Sequence, residues 1–318
     1  MKDELWFTDG TLVIKAGDSL FRVYGGLLAK ASPVFESMLE FPQPEGDELV
    51  EGCPVVELQD TAEETRCFLK ALLDYRFFLP PPQRTHWRTL CGVLRLSKKY
   101  DVEELSMRAL EHLATAFVME LDEYPGNPTF DIDCMGLTAL ITLGRQLSIH
   151  WFLPTAYYQL CSIAQVADIV SGVQQGTECL ELPMSDKVIC AREYVNMRLS
   201  AGSQISDFLW EPAKIPGCRQ PSRCGESRTC LRRQVESWRL KGTFPLTLWE
   251  CTDWIRLAVC DTCLAALKLT HADALRDFWR GLPERFELES WGALNKQRSA
   301  DLEGLDNTFA TKIRLMGD

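Results

Sequence analysis

The sequence lacks the features that most directly indicate an enzyme or a membrane protein. Its 318 residues contain no apolar run of about 18 residues, the length that a membrane span needs, and the first residues lack the apolar core of a signal peptide. The four histidines are scattered, without H-E-x-x-H spacing. Phosphate-binding glycine loops, G-x-G-x-x-G and G-x-S-x-G are also missing. We therefore expect a non-enzymatic, intracellular protein of the cytoplasm, the nucleus or both, with no membrane contact.

Positive charge is scarce as well. The chain has 34 Lys and Arg against 45 Asp and Glu, a net charge of −11, whereas general nucleic-acid binding needs a basic surface. The exception is Cys218–Lys241, with seven basic and two acidic residues. Such a run is more often a solvated helix face, or pairs with acidic residues elsewhere. A nuclear transcription regulator that contacts nucleic acid through this segment is therefore the alternative function.

The composition otherwise allows two ordinary folded domains. Hydrophobic residues make up 46% of the chain, and this length can bury two cores. The stretch from Asp122 to Asp131 (DEYPGNPTFD) has the proline, glycine and asparagine content of a connection. We predict a first domain at 1–122, a linker at 123–131, a helical domain at 132–297 and a polar tail at 298–318.

The first domain begins with a pattern typical of a β-hairpin followed by a helical pair. Apolar residues alternate along 12–14 and 20–24, and Ala16-Gly17-Asp18 supplies the turn. Ser32-Pro33 predicts a helix start, because serine caps free N–H groups and proline fits the first turn. Residues 55–58 (VVEL) predict a third strand, and Thr61 with Glu64 predicts a capped helix.

These residues resemble the broad-complex/tramtrack domain (BTB, or POZ), with its order of hairpin, F-x-V and L-A-x-x-S-P-x-F. The chain reads FRVY at 21–24, LAKASPVF at 28–35 and LRLSKKYDV at 94–102. The resemblance implies an α+β fold, a short β-sheet packed by helical hairpins, in an interaction module. It also implies protein partners and self-association through this domain. Some family members recruit a cullin-type scaffold of a ubiquitin ligase through the helices after the third strand.

Beyond residue 131 the periodicity is helical, so the fold class is completed by a mostly α-helical C-terminal domain. One predicted helix carries Met184, Val188, Ala191, Val195 and Leu199 on a single face, which we expect to pack on the domain core. The motifs LPTAY at 153–157, CDTC at 260–263 and WRGLPERF at 279–286 are similar to the C-terminal region of BTB proteins from mushroom-forming (basidiomycete) fungi. The aromatic side chains of 279–291 are expected to close the core.

Thirteen cysteines without a secretory signal indicate reduced thiols. Six of them lie between residues 218 and 263, and this region is a candidate zinc knuckle. Cys218 and Cys224, in a loop-like stretch, with Cys260 and Cys263 would supply four thiolates to one structural zinc ion. Two alternatives stay open. The cysteines could be core residues, on a helical face running from Trp254 to Leu267 or, for Cys230, packed beside Leu231; or Cys230 replaces Cys218 as a ligand.

The sequence thus predicts an intracellular scaffold or adaptor that acts through a BTB domain, by self-association or partner docking. A substrate adaptor of a cullin-type ubiquitin ligase is one form of that function. The only cofactor predicted is one structural zinc ion.

Overall fold

A computed structural model describes residues 2–40, 49–210, 212, 214–241 and 243–303. The fold is mixed α and β, with an N-terminal curled sheet followed by helices. The described residues fall into two compact units, the first within 2–118, 123–152 and 295–303 and the second within 119–122 and 153–294. None of the described helices combines the length and the apolarity that a membrane crossing requires.

The first unit contains a sheet whose described part has five strands. They are β1 (Lys2–Trp6), β2 (Leu12–Ala16), β3 (Ser19–Val23), β4 (Leu49–Val50) and β5 (Cys53–Leu58), in the order β1-β3-β2-β5-β4. β2 and β3 form the predicted hairpin, with Ala16 opposite Ser19 and Gly17 at a positive φ of 53° in the turn. β5, the predicted third strand, pairs parallel with β2. The edge strands β1 and β4 were not predicted, because β1 is charged and β4 is two residues long.

In the described part of the first unit, residues 295–303 form the end of a later helix, and six α-helices lie within residues 25–146. They are α1 (Gly25–Ala31), α2 (Pro33–Glu40), α3 (Ala62–Leu73), α4 (Trp87–Lys99), α5 (Glu103–Ala116) and α6 (Cys134–Gln146). Both predicted helix starts are confirmed: the Phe35 backbone N–H donates to Ser32 Oγ at 3.1 Å, and the Glu64 N–H donates to Thr61 Oγ1 at 3.2 Å. The Phe35 ring stacks on buried Tyr100, with centroids 4.6 Å apart.

The unit boundaries differ from those predicted at 122 and 131. The segment 123–131 has the composition of a linker, yet Phe130 and Thr129 are buried, and Thr129 Oγ1 lies 2.6 Å from His112 Nδ1 on α5. Helix α6 packs against α4. Composition alone does not reveal these anchoring contacts. The predicted tail at 298–318 begins inside a helix, and residues 304–318 lie outside the described part.

The second unit is mainly helical, as predicted. Its helices are α7 (Leu153–Ile163), α8 (Val166–Ser171), α9 (Met184–Asn196), α10 (Gly202–Ser206), α11 (Pro221–Leu240), α12 (Asp261–Arg280), α13 (Leu282–Arg285) and the start of α14 (Trp291–Glu303). The strands β6 (Val173–Gln175) and β7 (Glu178–Leu180) form a short hairpin before α9. Trp279 and Phe286 are buried, and Trp279 stacks on Trp291 at 5.3 Å. The prediction that these rings close the core is confirmed.

Helix α9 is present where the sequence predicts it, but the face expected to be buried is exposed. Val188 is 60% exposed and Met184 72%. The helix instead buries Asp186, Cys190 and Glu193 on its other side. Periodicity shows which residues share a face, while neighbouring elements decide which face is covered.

Candidate metal centre

Four cysteines meet between the start of α11 and the start of α12. Cys218 follows a turn in which Gly217 has a φ of 77°. Cys224 lies in the first turn of α11, and its N–H donates to the Gln220 carbonyl oxygen at 3.0 Å. Cys260 is the residue before α12, and Cys263 lies in that helix's first turn. The helix starts thus bring two pairs, distant in sequence, to one place.

The four sulfur atoms form a compact group. Among the described residues, Sγ of Cys218, Cys224, Cys260 and Cys263 all lie within 4.8 Å of one another, and those of Cys218 and Cys260 are 3.9 Å apart. A disulfide would need about 2.05 Å. A tetrahedral zinc ion with Zn–S distances of about 2.3 Å separates its sulfur ligands by about 3.8 Å. The arrangement can therefore hold a metal ion.

The surroundings of Cys260 favour the negatively charged thiolate form of its side chain. The backbone N–H groups of Cys263 and then of Arg219 lower the pKa of Cys260 to about 6, and the Cys260 N–H itself donates to Cys224 Sγ at 3.3 Å. Burial raises the pKa of both Cys224 and Cys263. The neighbouring thiols raise the pKa of Cys263 further, whereas at Cys224 the Cys260 N–H opposes the effect of burial. A cation among the sulfurs would offset that burial and repulsion, so the group as a whole suits a divalent metal ion.

The other two cysteines of this region stay outside the group. Cys230 and Cys251 are both exposed. Cys230 therefore does not take the place of Cys218, and its predicted packing beside Leu231 is wrong. The predicted helical face from Trp254 to Leu267 is also wrong, because Trp254 lies in a 3-10 helix (Cys251–Arg256) and α12 begins only at Asp261.

Hydrogen bonds tie α11 to the chain segments that precede Cys260 and Cys218. Ser227 Oγ on α11 accepts a hydrogen bond from the Ala258 N–H at 2.9 Å, two residues before Cys260. Arg228, only 6% exposed, donates to the carbonyl oxygens of Pro212 at 2.9 Å and Phe208 at 3.3 Å. These bonds hold α11 against the chain segments that lead to Cys218 and Cys260, two of the four grouped cysteines. Sequence reasoning missed this role of Arg228, because it counted the residue only as part of a basic run.

The arginines of Cys218–Lys241 are divided among different surroundings. Arg228 is internal, and Arg232 lies over the Trp210 ring with its guanidinium 5.0 Å from the centroid. Arg219, Arg223 and Arg233 are exposed. The segment is therefore less of a continuous basic surface than its composition suggests.

A second feature is a groove in the first unit, with a volume of about 910 Å³, between the α1–α2 pair, α3 and α5. Tyr75, 75% exposed, contributes to its wall. α3 ends at Leu73, and Tyr75 lies in the turn that follows it. The groove residues that carry charge are Lys30 and Arg108 with Glu36, Asp101, Glu103, Glu104 and Glu111. Acidic groups thus outnumber basic ones around it.

Comparison of the chain with protein-family models, curated proteins and solved structures gives no match.

Proposed function

We propose that this protein is a protein-interaction scaffold whose first unit is a BTB/POZ-like docking module. The observation that carries the proposal is the order of elements: the β2–β3 hairpin, the α1–α2 pair, the return of β5 parallel to β2, and then α3 to α5. This order agrees with the one that the family resemblance implies. Ser32 supports it locally, since its hydroxyl caps α2 and also donates to the Tyr100 carbonyl oxygen at the end of α4.

The groove of the first unit is where we place the partner. Its walls combine small apolar side chains such as Ala29 and Ala71 with the exposed ring of Tyr75. Aromatic residues at the centre of a contact patch contribute most of the binding free energy in typical interfaces. The acidic rim favours a partner segment that carries Lys or Arg. A cullin-type scaffold is one candidate partner, and a second copy of the first unit is another.

The second unit contributes a structural metal centre. Zinc is the metal that four thiolates in tetrahedral arrangement suit best. It would be held by Cys218, Cys224, Cys260 and Cys263, and would link α11 to α12 without any catalytic step. The nucleic-acid alternative has weaker support, because Arg228 and Arg232 of the basic segment are engaged inside the unit.

The test of the docking module uses the full chain and a purified cullin-type scaffold as the probe, with self-association followed in parallel. The substitution Tyr75→Asp should weaken binding to the probe, or self-association through the first unit, at least tenfold. Ile255→Asp is the matched control, because Ile255 is 87% exposed, belongs to the second unit and is not one of the residues that line the groove. Equal binding by both variants, or no binding and no association by the wild type, would reject the docking role.

A further inference from the structure

The exposed face of α9 and its continuation carries a row of aliphatic side chains. Met184, Val188, Val195 and Leu199 are 72%, 60%, 47% and 61% exposed, and half-buried Ala191 stands between the two valines. We call these five residues the α9 row. A helix face of this kind normally covers a core, and contiguous exposed apolar surface marks an interaction site.

A π-helical turn carries the row past the end of α9. Met197–Ala201 form this turn, whose hydrogen bonds span five residues where those of an α-helix span four. Arg198 accordingly stacks on Tyr194, with its guanidinium 4.3 Å from the ring centroid, while Leu199 remains exposed as the last member of the row. π-turns often occur at functional positions.

The row is symmetrical about its own centre. Counted from the midpoint between Ala191 and Arg192, Val188 and Val195 are equally distant, and so are Met184 and Leu199. Apart from the central pair Ala191 and Arg192, the symmetry holds for size as well, with valines on both sides and long side chains at both ends. A twofold-symmetric dimer uses the same surface on both copies. If one residue of the first copy contacts a second residue of the other copy, the reverse contact must form as well, and a symmetrical row meets this condition.

We propose that the α9 row pairs antiparallel with the α9 row of a second copy of this chain, about a twofold axis near Ala191. Val188 of each copy then packs on Val195 of the other, and Met184 on Leu199. The small Ala191 lets the helices approach at the axis. This inference is independent of the docking role of the first unit, since it concerns a different unit and different residues.

Lys187 and Arg192, which flank the row, are both paired within the chain, so the row itself presents an uncharged aliphatic surface to a partner. Lys187 pairs with Glu181, and Arg192 donates to Glu287 Oε1 at 2.8 Å. Arg192 also donates to the Arg285 carbonyl oxygen at 3.0 Å, so its guanidinium is drawn to one side of the row. These basic groups are neutralised within the chain. They do not single out an acidic peptide or an anionic lipid surface.

The size of the row sets the strength of the contact. From Met184 to Leu199 it runs about 22 Å along the helix. A stable interface buries about 800 Å² per partner, and smaller ones are transient. Ile163, Val166 and Val170, which are 50%, 43% and 52% exposed on α7 and α8, add apolar surface in the same unit. We therefore expect a reversible dimer that forms at tens of micromolar concentration.

Sedimentation equilibrium of the full chain between about 5 and 200 µM tests the pairing. The wild type should show a concentration-dependent monomer–dimer equilibrium. Val188→Glu with Val195→Glu should weaken it at least tenfold, because both exposed valines then place like charges in the contact. Leu269→Glu is the matched control and should behave as the wild type, since Leu269 is 60% exposed on α12, outside the row.

A charge swap tests the orientation. In the double variant Val188→Glu with Val195→Lys, antiparallel pairing sets each glutamate against a lysine, whereas parallel pairing sets like charges together. The swap should dimerise more strongly than the double glutamate variant, and about 0.5 M salt should abolish that gain. A swap no better than the double glutamate variant would overturn the antiparallel arrangement.

The remaining outcomes also decide the question. A wild type that is monomeric at every concentration overturns the pairing, and so does dimerisation that survives the double glutamate variant. If Tyr75→Asp abolishes that surviving dimer, association belongs to the first unit instead. Conversely, loss of probe binding in Tyr75→Asp with an intact dimer would leave the α9 pairing standing.

Discussion

The sulfur atom of Cys260 lies 3.9 Å from that of Cys218, although the two residues are 42 positions apart in the chain. This distance is nearly twice that of a disulfide and close to the separation of two ligands on one zinc ion. Cys218 directly follows the turn at Gly217, and Cys260 is the residue before α12. The fold of the second unit brings these two positions together. The metal group is thus a property of the tertiary fold.

Removing one member of the metal group should release the metal from the whole group. Purified without added zinc, the wild type should contain about one equivalent, and Cys263→Ser less than about a tenth, because three thiolates hold zinc far more weakly than four. Elemental analysis with protein quantification measures the ratio. Cys230→Ser is the control, since Cys230 is exposed and outside the group. A wild-type content below about half an equivalent would exclude the zinc centre.

Arg228 should matter for stability, and the exposed arginines should not. Arg228→Leu removes the donors to the Phe208 and Pro212 carbonyl oxygens, so we expect the free energy of unfolding to fall by about 2 kcal/mol. Arg233→Leu, on the exposed side of the same helix, should change it by less than about 0.5 kcal/mol. Denaturant unfolding measures both values.

Arg233→Leu also tests the nucleic-acid alternative. If the basic segment contacts nucleic acid, Arg233→Leu should reduce salt-dependent retention on DNA, and the slope against salt should fall by about one. If retention is equally weak for the wild type and Arg233→Leu, that alternative is removed.

Much of the first unit could be predicted from the sequence, because its signals are local. The turn at Gly17 and the caps at Ser32 and Thr61 depend on backbone groups within a few residues. The four cysteines predicted as metal ligands lie close together in the structure. They were chosen on the reasoning that Cys218 and Cys224 lie in an irregular stretch. Their grouping is consistent with that choice, although Cys224 belongs to helix α11 and not to a loop.

The burial of α9 could not be predicted, because it depends in part on a partner of Glu193 that is distant in sequence. Glu193 is 4% exposed, and its Oε1 accepts hydrogen bonds from Arg192 Nε and Asn196 Nδ2, both at 3.0 Å. Arg285, from α13, approaches its second oxygen at 3.6 Å. A carboxylate is buried only when such partners are present. The aliphatic row on the opposite face was left exposed, against the sequence pattern.

Ser32 should contribute more to stability than an ordinary helix cap. It is fully buried, and its hydroxyl serves both the Phe35 N–H of α2 and the Tyr100 carbonyl oxygen. Ser32→Ala should lower the free energy of unfolding of the first unit by about 2 kcal/mol. Thr61→Ala, which removes an exposed cap from α3, should cost about 1 kcal/mol. Equal losses in urea unfolding would show that the bond to Tyr100 contributes nothing.

His271 should make the second unit sensitive to acid. The ring is 6% exposed between Phe208 and Trp254, with centroids 5.0 and 5.6 Å away, and its Nε2 has no hydrogen-bond partner among the described residues. Burial lowers the pKa of His271 to about 4, against about 6.5 in the unfolded chain. Between these values the unfolded state binds more protons, so stability falls as the pH falls.

The expected loss from His271 is about 3 kcal/mol between pH 7 and pH 4, from a difference of about 2.5 pKa units. The variant His271→Leu removes this titration. Denaturant unfolding of both proteins at each pH, with zinc held constant, cancels the contribution of the thiols, which both share. At pH 8 the difference between them reports packing alone, because the histidine is neutral in both states. That difference should then shift in favour of the variant as the pH falls below 6.5, and a constant difference down to pH 4 would show that the ring gains its proton without cost.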